Sequence, residues 1–95
     1  MKTMNNVPEK HVFVCVNERT DGRDCCADVH GMDIFMELKK FVISHGLVGR
    51  IWVTKTGCLG FCNPVGTTIV VYPDQKWFLE VTMKDLEHIK KLFWQ

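Results

Sequence analysis

The chain has 95 residues, 46% of them hydrophobic and 24% charged, and a net charge of +1 at neutral pH. That length and apolar content suit one folded domain and exclude a disordered chain. The near-neutral balance, with no Lys/Arg run longer than two, argues against nucleic acid or an anionic membrane as a partner.

In chain order, residues 1–10 (MKTMNNVPEK) are polar, contain Pro8 and read as a flexible leader before a domain spanning 11–95. The leader has no apolar core of the kind a secretory signal needs. No apolar run approaches the ~18 residues of a membrane span. A cytoplasmic protein is expected. "HVFVCV" (11–16) is short, β-branched and aromatic, the signature of a buried strand. "NERTDGRD" (17–24) is a loop, marked by Asp21-Gly22. From Gly31 the period changes. Ile34, Phe35, Leu38, Phe41 and Val42 fall on one face of a helix, and Gly46 is placed to cap its end. "RIWVT" (50–54) is the second strand, and the loop "KTGCLGFCNPVG" (55–66) follows.

"TTIVVY" (67–72) and "KWFLEV" (76–81) read as two strands joined by the turn "PDQ" (73–75), hence a β-hairpin. Thr82, with Asp85 three residues on, marks the start of a last helix whose apolar face is Leu86, Ile89, Leu92 and Phe93. The order β-α-β-β-β-α predicts an α/β sandwich with a mixed sheet and two main helices, the thioredoxin-like layout.

Cysteine is the outlying residue type, at five, an odd number that suits metal or redox work better than a secreted disulfide framework. Cys15 ends the first strand, Cys25 and Cys26 end the loop after it, and Cys58 and Cys62 lie in the loop leaving the second strand. If those strands are parallel neighbours, both loops emerge at one end of the sheet and the thiols converge there. Cys15 and Cys26 with Cys58 and Cys62 match the ligand count of a [2Fe-2S] cluster, two thiolates per iron. Thiolate is a soft ligand that suits iron–sulfur clusters and zinc. Gly57 and Gly60 would let backbone amides approach the sulfurs, because no Cβ stands in the way.

Three blocks of residues resemble one family. "HVFVCVNER" is similar to its first strand, which ends in a cysteine and a polar loop. "CCADVHG" resembles the segment before its first helix. "TKTGCLGFCNPVGTTIVVYPDQKWFLEVTMKDLEHI" is similar to its most specific stretch, with T-G-C-L-G-x-C and "VVYP". The family is the thioredoxin-like [2Fe-2S] ferredoxins, the group that includes the Shethna-type ferredoxins, and the likeness runs over residues 11–91. The resemblance implies cluster ligation by Cys15, Cys58 and Cys62, with Cys26 rather than Cys25 as the remaining ligand. It implies a one-electron carrier, not an enzyme, that meets redox partner proteins and pairs as a homodimer. All-cysteine ligation implies a low potential, on the order of −400 to −200 mV. Arg19, Arg23 and Lys55 would offset cluster charge and steer a partner.

Other readings of the cysteines fit less well. Buried structural thiols are common, but a glycine-rich loop is a poor place to bury one. Structural zinc favours C-x2-C turns, and neither pair here has that spacing. A dithiol enzyme would carry C-x-x-C at a helix start, whereas Cys58 and Cys62 are one residue further apart and run through Pro64 into a strand. A Rieske centre needs two histidines, and His11, His30, His45 and His88 show no C-x-H pairing. His30 reads as an exposed residue at a helix start. Trp52, Trp77, Phe78 and Phe93 read as core or sheet-face residues, and Trp94 as closing the core or marking a contact surface. A second functional class is a redox-switched protective protein that binds a larger redox enzyme.

Overall fold

A computed structural model of the chain describes residues 1–5, 7–17, 30–60 and 66–92. The elements are β1 (Lys10–Cys15), α1 (Gly31–Ser44), β2 (Ile51–Thr56), β3 (Thr67–Tyr72), β4 (Lys76–Val81), a 3-10 turn (Met83–Asp85) and α2 (Leu86–Leu92). The predicted order is met, and both hairpin strands and their turn fall at the residues the sequence reading gave them. β1 starts one residue early, at Lys10. β2 starts at Ile51 rather than Arg50 and runs to Thr56, so Lys55 and Thr56 belong to the strand and not to the cysteine loop.

The sheet has the order β2-β1-β3-β4. β1 runs parallel to β2 and antiparallel to β3, and β3 pairs antiparallel with β4. The parallel pair is the one joined through α1, as a β-helix-β crossover requires. α1 buries Ile34, Phe35, Leu38 and Val42 against Val12 and Val14 of β1 and Ile51 of β2. Leu86 and Ile89 of α2 join the same cluster, with Ile69, Val71 and Val81 from the hairpin. Both described helices therefore cover one face of the sheet.

The local signals explain the ends of these elements. α1 closes with Gly46 at φ 67, where a side chain would be strained. Gly46 N–H donates to the Ile43 carbonyl (3.2 Å) and Leu47 N–H to the Val42 carbonyl (2.9 Å), and Leu47 folds back into the core. Before α2, the Asp85 carboxylate accepts from Thr82 N–H (2.9 Å) and from the Thr82 hydroxyl (3.2 Å). The expected start of the last helix is thus present, tightened into a 3-10 turn. β4 carries one extra residue against β3: Thr67 faces Val81 while Ile69 faces Phe78. Glu80 takes up the bulge with φ 57.

The opposite face of the sheet carries His11, Phe13, Trp52, Tyr72 and Trp77, by strand alternation and register. His11 stacks on Phe13 at 4.1 Å and meets Trp52 edge-on at 5.6 Å. Its Nε2 lies 2.7 Å from the Thr54 hydroxyl, and burial holds its pKa below the ordinary value. Phe78, on the helix side, packs against the core, whereas Trp52 and Trp77 are surface residues of the sheet. Phe93 and Trp94 lie outside the described residues. Among the described residues no helix is long and apolar enough to cross a membrane.

Candidate metal centre

Cys15 is the last residue of β1, and its register partner on the parallel strand is Thr56. Val16 N–H continues the ladder to the Thr56 carbonyl at 3.0 Å. Cys58 follows Thr56 by two residues. Parallel pairing thus carries the first thiol and the start of the second cysteine loop to the same end of the sheet, as the sequence led us to expect. The two loops also lie near each other: a Cβ built on Gly57 would stand 3.9 Å from the Asn17 side-chain oxygen.

The two described cysteines sit in different surroundings. Cys15 is 1% exposed, and its thiol donates to the Gly57 carbonyl at 3.2 Å. Its own carbonyl accepts a buried 2.6 Å hydrogen bond from the Thr67 hydroxyl. Cys58 is exposed, and its sulfur accepts the Gly60 N–H at 3.2 Å. Gly60 has φ 93, which turns its amide back toward the preceding sulfur and which an L side chain rarely adopts. The glycines therefore divide the work. Gly60 presents an amide to sulfur, as expected, whereas Gly57 presents its carbonyl, which also accepts the Thr56 hydroxyl at 2.9 Å.

Cys25, Cys26 and Cys62 lie outside the described residues, as do Arg19, Arg23 and Pro64. Among the described residues, no three His, Cys, Asp or Glu side chains gather into a metal site. Lys55 is exposed on β2, three residues before Cys58. His30 starts α1 with φ 63, its side chain 73% exposed and its Nδ1 3.3 Å from an Asp33 oxygen. Thr67 is the site residue that sequence reasoning missed. A threonine at the head of a β-branched run reads only as a strand former, and its bond to Cys15 spans 52 positions.

The described donors fit an iron–sulfur group. They are soft thiols, one on a rigid strand end and one in a turn that aims an amide at it. An amide favours a thiolate over a neutral thiol, because charge strengthens the hydrogen bond. Gly60→Ala tests the amide. An L residue at that φ costs about 1–2 kcal/mol, and relaxation would draw the N–H away from sulfur. A hydrogen bond worth about 1 kcal/mol corresponds to about 40 mV for one electron. The potential of the iron-loaded protein is expected to fall by up to that amount in a redox titration. Gly46→Ala, also at a positive φ but at the end of α1, should cost stability and leave the potential alone. Equal potentials for all three proteins would remove the role assigned to Gly60.

The two described thiols stand at one end of an α/β sheet, one of them with an amide aimed at its sulfur, which is the donor chemistry a thiolate-ligated metal group would use. No protein-family model matches the chain. Among curated proteins it is similar to "Ferredoxin, 2Fe-2S" of Clostridium pasteurianum, 33% identical over 84 residues, covering 86% of this chain and 81% of that one. A second protein of that name, from Aquifex aeolicus (strain VF5), is 35% identical over 83 residues, covering 84% of this chain and 74% of that one. Among solved structures, the wild-type thioredoxin-like [2Fe-2S] ferredoxin from Aquifex aeolicus matches with a TM-score of 0.78 at 32% identity, covering 90% of this chain and 84% of that one. The chain belongs to the thioredoxin-like [2Fe-2S] ferredoxins, the iron–sulfur electron carriers whose fold and cofactor the sequence blocks led us to expect.

Proposed function

We propose that this chain is a low-potential one-electron carrier, without catalysis of its own, that holds a single [2Fe-2S] cluster on Cys15, Cys26, Cys58 and Cys62. The ferredoxin domain is assigned to residues 11–95, after a leader of residues 1–10, and the protein to the cytoplasm. When bound, the cluster supplies a site that takes up and gives back one electron without bond-making to a substrate. The observation that carries the reading is the parallel register of Cys15 on Thr56, which sets Cys15 and the Cys58 turn at one end of the sheet. Thr67 holds the Cys15 carbonyl and Gly60 donates to the Cys58 sulfur. These contacts fix the donors before the group is loaded, and ligand groups held this way tune its potential. Ligation by four thiolates, with no histidine, places that potential below the range of Rieske centres. Lys55, with Arg19 and Arg23, supplies the positive charge that steers a donor or acceptor protein.

The deciding experiment is an anaerobic absorption spectrum with iron and acid-labile sulfide analysis. Red-brown protein with iron and sulfide in equal amounts is expected, and colourless protein carrying zinc would end the proposal. Cys25→Ser and Cys26→Ser, made singly, then assign the remaining ligand. Only Cys26→Ser is expected to damage the spectrum, and the reverse result would transfer the role to Cys25.

A further inference from the structure

β2 is an outer strand of the sheet, and no described strand lies beyond it. Its pairing with β1 uses alternate residues. The Arg50 carbonyl accepts from Lys10 N–H at 3.3 Å and the Thr56 carbonyl from Val16 N–H at 3.0 Å, so the even-numbered groups face β1. Ile51 N–H is taken by the Leu47 carbonyl at 2.9 Å. The N–H and C=O groups of Val53 and Lys55 therefore face outward from the sheet. A hollow of about 350 Å³ lies beside this edge, lined by Lys39, Val42 and Ile43 of α1, by Val48, and by Trp52 and Val53. Ile43 is 60% exposed and Val48 58%. Among the described residues, no acidic side chain lines the hollow. Lys39, Lys40 and Lys55 are exposed, and none of them has an acidic partner among the described residues.

We propose that the β2 edge takes up an extended segment of the redox partner, acidic and apolar in composition, which adds to the sheet as a further strand. The proposal rests on the carrier reading above and names where its partner binds. Outward backbone groups supply the hydrogen bonds of strand addition, and the hollow beside the strand accepts alternate side chains. Apolar side chains of the segment cover Ile43 and Val48, and its carboxylates meet Lys39 and Lys55. A second copy of this chain would bring the same lysines to the joint, so charge selects an acidic occupant. The edge also leads to the candidate metal centre. Lys55 precedes Cys58 by three residues, about 10 Å of extended chain. A segment bound there holds its own protein beside the cysteine pole.

The test uses the iron-loaded protein and a capped, fluorescently labelled peptide of repeated Val-Val-Glu-Glu, which gives both faces of an extended strand apolar and acidic side chains. The same peptide with lysine in place of glutamate is the control. Fluorescence anisotropy is expected to show binding of the acidic peptide only, weakened by added salt. Hydrogen exchange at the Val53 and Lys55 amides should slow when it binds. Lys39→Glu and Lys55→Glu, each made alone, should weaken binding by about tenfold or more. Lys76→Glu, the same change of charge on the exposed start of β4, should leave affinity as in the parent. A parent that binds neither peptide, or both equally, overturns the proposal. So does binding that leaves exchange at Val53 and Lys55 unchanged, or that Lys76→Glu weakens as much as Lys55→Glu. A parent that self-associates through this edge, with Lys55→Glu dissolving the pair and leaving peptide affinity alone, also overturns it. Red-brown protein that ignores the acidic peptide removes the edge site and leaves the carrier reading standing. Colourless protein that binds the peptide with slowed exchange at Val53 and Lys55 supports the edge site and ends the carrier reading.

Discussion

Replacing Cys15 by alanine should cost the protein its cluster and leave its fold. The thiol stands at the end of a central strand, 1% exposed, beside the Gly57 carbonyl. The backbone that carries it is held on both sides. Thr56 accepts the N–H of the following residue, and Thr67 donates to the Cys15 carbonyl. No other described cysteine can swing into that position, because Cys58 lies in a separate turn with its sulfur on the Gly60 amide. Changes that only touch a ligand's supporting groups already cost 10–100-fold in metal affinity in comparable sites, so bound iron is expected to fall by about tenfold or more. Helical circular dichroism should persist, since Cys15 packs outside the cluster of Val12, Val14, Ile34 and Leu38 that joins helix to sheet. The melting temperature should drop, because a group that binds only the folded chain stabilises it. Iron content and a visible spectrum equal to the parent's would remove Cys15 from the ligand set.

Gly66→Ala is expected to be more damaging than the same change at Gly46, Gly49, Gly57 or Gly60. A Cβ at Gly66 would stand 2.4 Å from the Glu80 carbonyl carbon and from the Val81 carbonyl oxygen. Those are backbone atoms of a paired strand, so no side chain can swing away to relieve the overlap. Relief requires β3 and β4 to separate at the bulge where Thr67 meets Val81, beside the threonine that holds Cys15. A loss of about 3 kcal/mol or more is expected, out of the ~5–15 kcal/mol that stabilises a small domain. Denaturant titration of Gly66→Ala against Gly49→Ala measures it. Gly49 has open space where a Cβ would go, so its variant should stay within about 0.5 kcal/mol of the parent. A Gly66→Ala protein as stable as Gly49→Ala would show that the two strands do not approach as described.

The elements were legible because their signals are local. Ile34, Phe35, Leu38 and Val42 recur with helical period and all four are buried. The run from Thr67 to Val71 is buried throughout and reads so in its β-branched composition. Gly46 and Asp85 sit where a helix end and a helix start need them. The bulge in β4 was not legible. A left-handed residue is usually announced by glycine or asparagine, and here it is Glu80. The far end of β2 was also misplaced. Lys55 and Thr56 are polar and precede a glycine, so they read as loop until β1 supplies hydrogen bonds to hold them. The candidate centre divides the same way. The thiols and glycines are visible as residue types, but Thr67 is bound to Cys15 only through the antiparallel placement of β3 against β1.

The amino-acid order on its own settled which segments coil and which extend, and which thiols the chain carries, because side-chain period, glycine and capping act within a few residues. The folded molecule decided what those segments meet. It set β1 between β2 and β3, aligned Cys15 with Thr56, turned the Gly57 carbonyl rather than its amide toward a thiol, and placed both described helices on the face opposite the aromatic one. Each of these is a matter of strand order and register between distant positions, and such pairing energy exists only once the chain has closed on itself.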